Sequence, residues 1–251
     1  MNIDLSGHVA VVTGAGSGIG RKVAGIMAEA GAQVAVADIN ASASDETVEL
    51  INKVDGHAEA FEVDVTSLES IRELQASTSR SMGLCDIVVN CAGWNVGQPF
   101  LENNPEFIEH VVSLNLLGCI YMCREYLGPL VESGKSGWVV NVSSDAGRVG
   151  SLGETVYAAS KGGVVAFTKS LAREMARYSI NVNCVAPGPT DTPLFHLQPE
   201  KIQAALVRAI PLKRLGEPEE VANVIVFLAS QRASYVTGQV LSVSGGLTMV
   251  D

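Results

Sequence analysis

A chain of 251 residues with 47% hydrophobic residues is long enough for one large α/β domain, which buries about three-quarters of its unfolded surface. A formal charge of −10 argues against nucleic acid or an anionic membrane as the main partner, and leaves small anionic ligands open because those bind to local groups. Five cysteines (Cys85, Cys91, Cys119, Cys123, Cys184) without framework spacing, and four scattered histidines, read as reduced core thiols rather than disulfides or a metal site.

No run approaches the roughly 18 apolar residues of a membrane span, and the opening "MNIDLSGHVAVVTG" lacks the basic region and small-residue site of a secretion signal. A cytoplasmic protein is expected.

The first candidate strand, "VAVVTG", runs into "TGAGSGIG" and then into a helix over 21–29. Glycines at 14, 16, 18 and 20 let the backbone turn tightly and approach a diphosphate, and the helix start offers free N–H groups and a positive dipole end. The position, after a strand and opening a helix, separates this motif from a plain glycine-rich turn. The second strand, "QVAVADI", places Asp38 18 residues after Gly20. A carboxylate there accepts from both adenosine ribose hydroxyls and repels a 2′-phosphate, so NAD is expected over NADP. Arg21 has no basic partner at 38 or 39.

The strands "AEAFEVDV", "DIVVNCAG", "WVVNVSS", "INVNCVAPG" and "QVLSVSGG" follow, separated by helical stretches over 43–54, 68–79, 105–130, 156–177 and 218–229. Strands alternating with helices give βαβ units and a doubly wound parallel sheet covered on both faces, in a single domain over 1–251. The segment 189–215 breaks the rhythm with four prolines and a short amphipathic helix, and reads as a substrate lid, a surface excursion or a subunit contact. In "VYAASKGG", Tyr157 and Lys161 are four apart and share a helix face, either as a catalytic phenol and ammonium or as a solvated neighbour pair.

The motifs "TGAGSGIG", "NCAG", "VSLNLLG", "NVSS", "YAASK" and "PGPTDT" resemble, in order along nearly the whole chain, the short-chain dehydrogenase/reductase family. The resemblance implies a seven-stranded parallel sheet of Rossmann type, a homotetramer, and an active site at the C-terminal strand ends. It implies a catalytic set of Asn115, Ser144, Tyr157 and Lys161. In it Tyr157 is the proton carrier, Lys161 lowers its pKa and binds the nicotinamide ribose, Ser144 holds the substrate oxygen, and Asn115 holds a relay water. Ser143 is the rival of Ser144; spacing from Tyr157 favours the latter. The cofactor set is Gly14, Ser17, Gly18, Ile19, Gly20, Asp38, Asp64, Val65, Asn90, Ala92, Gly93, Tyr157, Lys161, Pro187, Gly188, Thr190 and Thr192. No metal is implied.

A phenol ionises near pH 10, so a general base at neutral pH requires a lowering of about 3 units, of which one adjacent cation supplies about 1–3. Lys161 and a positively charged nicotinamide are expected to provide it together. Around the reacting carbon, Trp94, Val96, Leu152, Leu194 and Phe195 suggest an apolar or cyclic group, with Trp94 equally readable as packing at a loop root. Arg148 reads as a contact for an anionic substrate group or as a surface arginine, and His196 as a solvated lid residue or a substrate contact.

Within the family the motifs most resemble the 2-hydroxycyclohexanecarboxyl-CoA dehydrogenase branch, which implies oxidation of a ring-borne secondary alcohol, possibly on a coenzyme A thioester. The rival is 3-oxoacyl-carrier-protein reductase. Asp38 opposes its usual NADPH preference, and of the basic residues that greet an acidic carrier only Lys135 has a match, with Tyr178 at the other position beside Arg177. A different class is an NAD-binding redox sensor without turnover, against which the complete Asn115, Ser144, Tyr157, Lys161 set speaks.

Overall fold

The computed structural model describes residues 3–250. Strands β1 (Val9–Thr13), β2 (Gln33–Asp38), β3 (His57–Glu62), β4 (Ile87–Asn90), β5 (Gly137–Val142), β6 (Ile180–Pro187) and β7 (Val240–Val243) form one parallel sheet in the order β3-β2-β1-β4-β5-β6-β7. The expected seven-stranded doubly wound architecture is what the chain adopts.

Period-two alternation divides the core into two layers. Ala10 and Val12 of β1, with Val34 and Val36 of β2, face Val23 and Met27 of α1 (Gly18–Glu29) and Val221 and Ile225 of α10 (Pro218–Leu228). Val9 and Val11, with Ala35 and Val88, face the other way onto Ile71 and Leu74 of α3 (Leu68–Ser81) and Met122 and Tyr126 of α5 (Gly118–Ser133). With both faces covered, the central strands β1 and β4 read as near-continuous apolar runs. Each fully buried Val, Ile or Leu contributes about 1.5–3 kcal/mol.

The helix expected over 105–130 is interrupted. It consists of α4 (Pro105–Val112), a wide π-turn over Ser113–Leu117, and α5. The Asn115 side-chain amide donates to Val111 O at 2.9 Å, the carbonyl that an α-helix would give to the backbone N–H of Asn115. Such turns mark places where a helix re-aims a side chain.

Contrary to expectation, Pro105–Ser133 is long and apolar enough, by length and composition alone, to pass for a membrane span. Its apolar side chains Met122, Cys123, Tyr126, Leu127 and Leu130 pack against the sheet.

The order reverses between β1 and β4, whose ends at Thr13 and Asn90 flank the crevice where open α/β sheets bind ligands. Helices α2 (Ala41–Asn52), α6 (Ala146–Val149) and α7 (Thr155–Met175) complete the helical layers. The 189–215 segment folds into α8 (Pro193–His196) and α9 (Glu200–Ala209), closed at its base by a parallel bridge of Thr190 to Gly216.

Candidate active site

The glycine turn is dictated by space as much as by conformation. A Cβ on Gly14, whose φ is +65°, would lie 2.9 Å from Ala92 Cα, and one on Gly20 would overlap Gly14 O. The turn thus packs against its own start and against the chain leaving β4, where Ala92 N donates to Thr13 Oγ1 at 3.3 Å. Ser17, at the start of α1, makes no side-chain capping bond, so the first N–H groups of a 12-residue helix stay available. Ile19 and Gly18 lie in that first turn, and Thr192 Cγ2 is 3.2 Å from where a Gly18 Cβ would stand. The segment after β6 therefore closes over the glycine turn.

Asp38 ends β2 beside this turn. Its Oδ2 accepts from Gly16 N at 2.8 Å and its Oδ1 from Asn40 N at 3.0 Å. Arg21 is engaged elsewhere, donating to Gly16 O and, at 2.8 Å, to Glu46 Oε2. A close-packed glycine cradle, free N–H groups and a carboxylate one turn away fit a dinucleotide. Asp64 Oδ1 accepts from Thr66 N and Oγ1 at 2.8 and 2.7 Å, holding the turn after β3, and Val65 beyond it is buried against Gly118. Gly188 follows Pro187 at the end of β6, packed so that a Cβ would lie 2.7 Å from Ser244 Cβ, and Thr190 Oγ1 donates to Gly188 O at 3.0 Å.

Beneath the crevice, polar side chains on three elements lock together. Asn90 Nδ2 donates to Asn141 Oδ1 at 2.8 Å, and Asn141 Nδ2 to Thr168 Oγ1 at 2.9 Å. Cys119 and Cys123, one turn apart on α5, direct their thiols to the same Asn141 oxygen at 3.3 and 3.8 Å. All five cysteines are free.

The catalytic candidates converge above this ladder. Lys161 is 3% exposed and donates to Val142 O at 2.9 Å. Its ammonium lies 5.7 Å from the Tyr157 ring centre. A Cβ on Gly93 would stand 3.0 Å from Asn115 Oδ1 and 3.2 Å from Lys161 Nζ, so both groups reach the chain just after β4. The structure separates the two serines: Ser143 is buried and spends its hydroxyl on Lys161 O at 2.8 Å, whereas Ser144 is half-buried and turned toward the Tyr157 phenol. Asn115 clamps the next loop, donating to Trp94 O at 2.8 Å and accepting from Trp94 N at 3.2 Å.

The expected lowering of Tyr157 is not produced by the protein's own groups. Burial, and after it the Glu154 carboxylate, push the phenol above its ordinary range, against a smaller pull downward from Ser144. Burial also holds the Lys161 ammonium below its usual value, with the thiols of Cys119, Cys184 and Cys91 acting in the opposite sense.

The substrate candidates fare unevenly. Trp94 is packed edge-on against Phe107 and His110, at 5.9 and 5.2 Å between ring centres, as a loop-root residue would be. Leu152 is fully exposed, Leu194 half-buried, and Phe195 buried against His196. Arg148 directs its guanidinium to Ser242 Oγ at 2.8 Å, Val240 O at 3.3 Å and Val250 O at 3.1 Å, tying α6 to β7 and the C-terminal tail. Sequence reading passed over Asn95, which is buried and donates to Glu154 Oε1 at 3.0 Å. Glu154 stands three residues before Tyr157, the one signal that was available.

A parallel sheet with a glycine cradle at its switch point, and a tyrosine and lysine facing a serine at the strand ends, define a nicotinamide-dependent oxidoreductase. Residues 14–248 match the family model described as Enoyl-(Acyl carrier protein) reductase. The (3R)-3-hydroxyacyl-CoA dehydrogenase of Mus musculus is 40% identical over 257 residues, covering 98% of each chain. The 3-oxoacyl-[acyl-carrier-protein] reductase of Thermotoga maritima is 39% identical over 245 residues, covering 98% of this chain and 99% of its own. The chain belongs to the short-chain dehydrogenase/reductase family.

Proposed function

We propose that this oxidoreductase interconverts a secondary alcohol and its ketone with NAD, acting on a hydroxyacyl thioester of coenzyme A. The observation that carries the reaction is the convergence of Tyr157, Ser144 and the buried Lys161 at the end of β5. The Asp38 carboxylate, with Arg21 occupied by Glu46, supports NAD over NADP. The names of the relatives support an acyl thioester over a free cyclic alcohol. The formal net charge of −10 disfavours an acidic carrier protein at long range.

The glycine turn with Ser17 and Ile19 would hold the diphosphate, Asp38 the adenosine ribose, Asp64 and Val65 the adenine, and Tyr157 with Lys161 the nicotinamide ribose. Asn90, Ala92, Gly93, Pro187, Gly188, Thr190 and Thr192 would line its nicotinamide half. When bound, the nicotinamide would supply the hydride acceptor for the carbinol carbon. Tyr157 takes the hydroxyl proton as the carbonyl forms, Ser144 holds the oxygen, and the Lys161 charge favours the phenolate. In reduction the same phenol donates its proton to the ketone. Asn115 fixes the Trp94 backbone and so the wall of the site. The 189–215 segment serves as a lid. The five free thiols are in keeping with a cytoplasmic setting, and exposed Tyr235, Leu241 and Met249 near the β7 edge support assembly into a homotetramer.

The test is NADH formation with 3-hydroxyacyl-CoA esters, carrier-protein thioesters and cyclic alcohols in parallel. The reading requires turnover with the coenzyme A esters, abolished by Tyr157→Phe. Preference for the carrier thioester with NADP supports the reductase reading instead, and NAD binding without turnover on any substrate supports a sensor.

A further inference from the structure

Ser144 is followed at once by a buried carboxylate. Asp145 is 4% exposed and stands at the start of α6, yet its side chain makes no capping bond to that helix. Its Oδ1 accepts instead from Ser242 Oγ on β7 at 2.6 Å, the length of a hydroxyl donating to a charged acceptor, while Oδ2 has no hydrogen-bond partner among the described residues. On its other side Ser242 Oγ accepts from Arg148 Nη1 at 2.8 Å. A guanidinium can only donate, so the Ser242 proton is left for Asp145 and the hydroxyl is fixed in one orientation. The contacts run on through Arg148 Nη2 to Val250 O at 3.1 Å.

A buried carboxylate with one side-chain bond is costly, and tying α6 to β7 does not by itself require one. What distinguishes Asp145 is the turn it belongs to. Ser143 N donates to Val185 O at 2.8 Å and Asp145 N to Pro187 O at 3.0 Å, so the backbone on either side of Ser144 is registered on β6. The Ser144 hydroxyl accepts from Ala146 N at 3.2 Å, directly beyond Asp145. Gly147 lies so close to α7 that a Cβ on it would stand 2.6 Å from Lys161 C. The turn over 144–147 is thus held to α7 through Gly147 and to β7 through the Asp145 carboxylate. We propose that Asp145 and Ser242 are positioning residues for Ser144, their bond fixing the turn that aims the Ser144 hydroxyl at the substrate oxygen. The proposal rests on the reading of Ser144 as the group that holds that oxygen. It gives the last strand of the sheet a part in setting the active site.

The experiment is steady-state alcohol oxidation, with whichever nicotinamide dinucleotide supports turnover, in the wild type, Ser144→Ala, Ser242→Ala, Ser242→Thr and the double variant of Ser144→Ala with Ser242→Ala. The dinucleotide Kd and thermal melting are measured on each. Ser242→Ala is expected to lower kcat about 10–100-fold, the scale of an ångström-sized misplacement, with the Kd unchanged. Ser242→Thr keeps the hydroxyl and is expected to recover most of that loss. In the Ser144→Ala background the same Ser242→Ala change is expected to cost less than about 3-fold, because residues that act through one group are not additive.

Ser242→Ala strands the Asp145 charge and is expected to melt lower than the wild type. Combining it with Asp145→Asn removes the bond and the buried charge together, and is expected to regain the melting temperature while keeping the loss in kcat. Wild-type kcat in both Ser242→Ala and its combination with Asp145→Asn, or a full further loss on top of Ser144→Ala, overturns the proposal. Wild-type turnover in Ser144→Ala would instead overturn the reading of Ser144 itself.

Discussion

The Lys161 ammonium lies 5.7 Å from the centre of the Tyr157 ring and is pinned to the end of β5 by a 2.9 Å hydrogen bond to Val142 O. Among the described residues no carboxylate pairs with it; thiols and backbone surround it instead. A buried cation with one hydrogen bond is costly to keep, and a site that retains it has a use for the charge.

Lys161→Met therefore separates folding from function. Replacing a buried charge by an apolar side chain of similar length is expected to leave the melting temperature equal or higher. Turnover is expected to fall by about 10²–10⁴-fold, the range of general acid–base assistance. Thermal melting and steady-state kinetics on the same preparation check both halves; loss of stability together with activity would mean that Lys161 is mainly structural.

Cofactor choice is expected to follow Asp38. Its carboxylate accepts from Gly16 N and Asn40 N, and the next residue, Ile39, is 67% exposed with no packing role to lose. In Asp38→Asn with Ile39→Arg, the repulsion is removed and a cation is added where a 2′-phosphate would sit. The ratio of kcat/KM for NAD over NADP is expected to fall by about 100-fold, close to 2.8 kcal/mol. A ratio that does not change would remove Asp38 as the determinant.

Much of this was legible before the coordinates, and the failures have physical causes. The β1–α1–β2 unit and its cradle could be read because glycine spacing, apolar runs and a carboxylate at a strand end are local signals. The break in the 105–130 helix was hidden because apolar periodicity does not report a side-chain amide competing for the Val111 carbonyl. The bonds of Arg148 to β7 and the tail were not legible because their acceptors lie more than 90 residues away in sequence. The pairing of Asn95 with Glu154 spans 59 residues, and the spacing of Glu154 from Tyr157 did not point to Asn95. That the protein's own groups push the Tyr157 phenol upward was not legible, because burial cannot be read from the spacing of charges.

Buried thiols make stability fall in alkali. Burial pushes Cys85 up to about 11 and Cys184 up to about 12. Each holds its proton more tightly folded than unfolded, so their contribution is whole below the ordinary thiol value of about 8.5 and is lost as pH rises toward 11–12. Urea midpoints measured from pH 8 to 11 are expected to decline through this window. A disulfide-exchange reagent at pH 8 should leave the buried Cys85, Cys119, Cys123 and Cys184 unmodified until denaturant is added. Rapid native-state labelling of these four would contradict the packing described.

Two glycines of α1 give opposite expectations for the same substitution. In Gly20→Ala the new Cβ would overlap Gly14 O and stand 2.7 Å from Gly14 C, and these are backbone atoms that no rotamer change can move aside. The helix must back away from the cradle, at a cost of about 2–4 kcal/mol, and it carries the N–H groups of its first turn with it. Gly25, five residues on, has open space where its Cβ would go, so Gly25→Ala is expected to stabilise by about 0.4–1 kcal/mol through helix propensity and a less flexible unfolded chain. Thermal melting with and without NAD tests the pair: Gly20→Ala should melt lower and lose most of the shift that NAD produces, while Gly25→Ala should melt at or above the wild type with that shift intact. If Gly20→Ala kept the full NAD shift, the close packing of the cradle would not be what the dinucleotide requires.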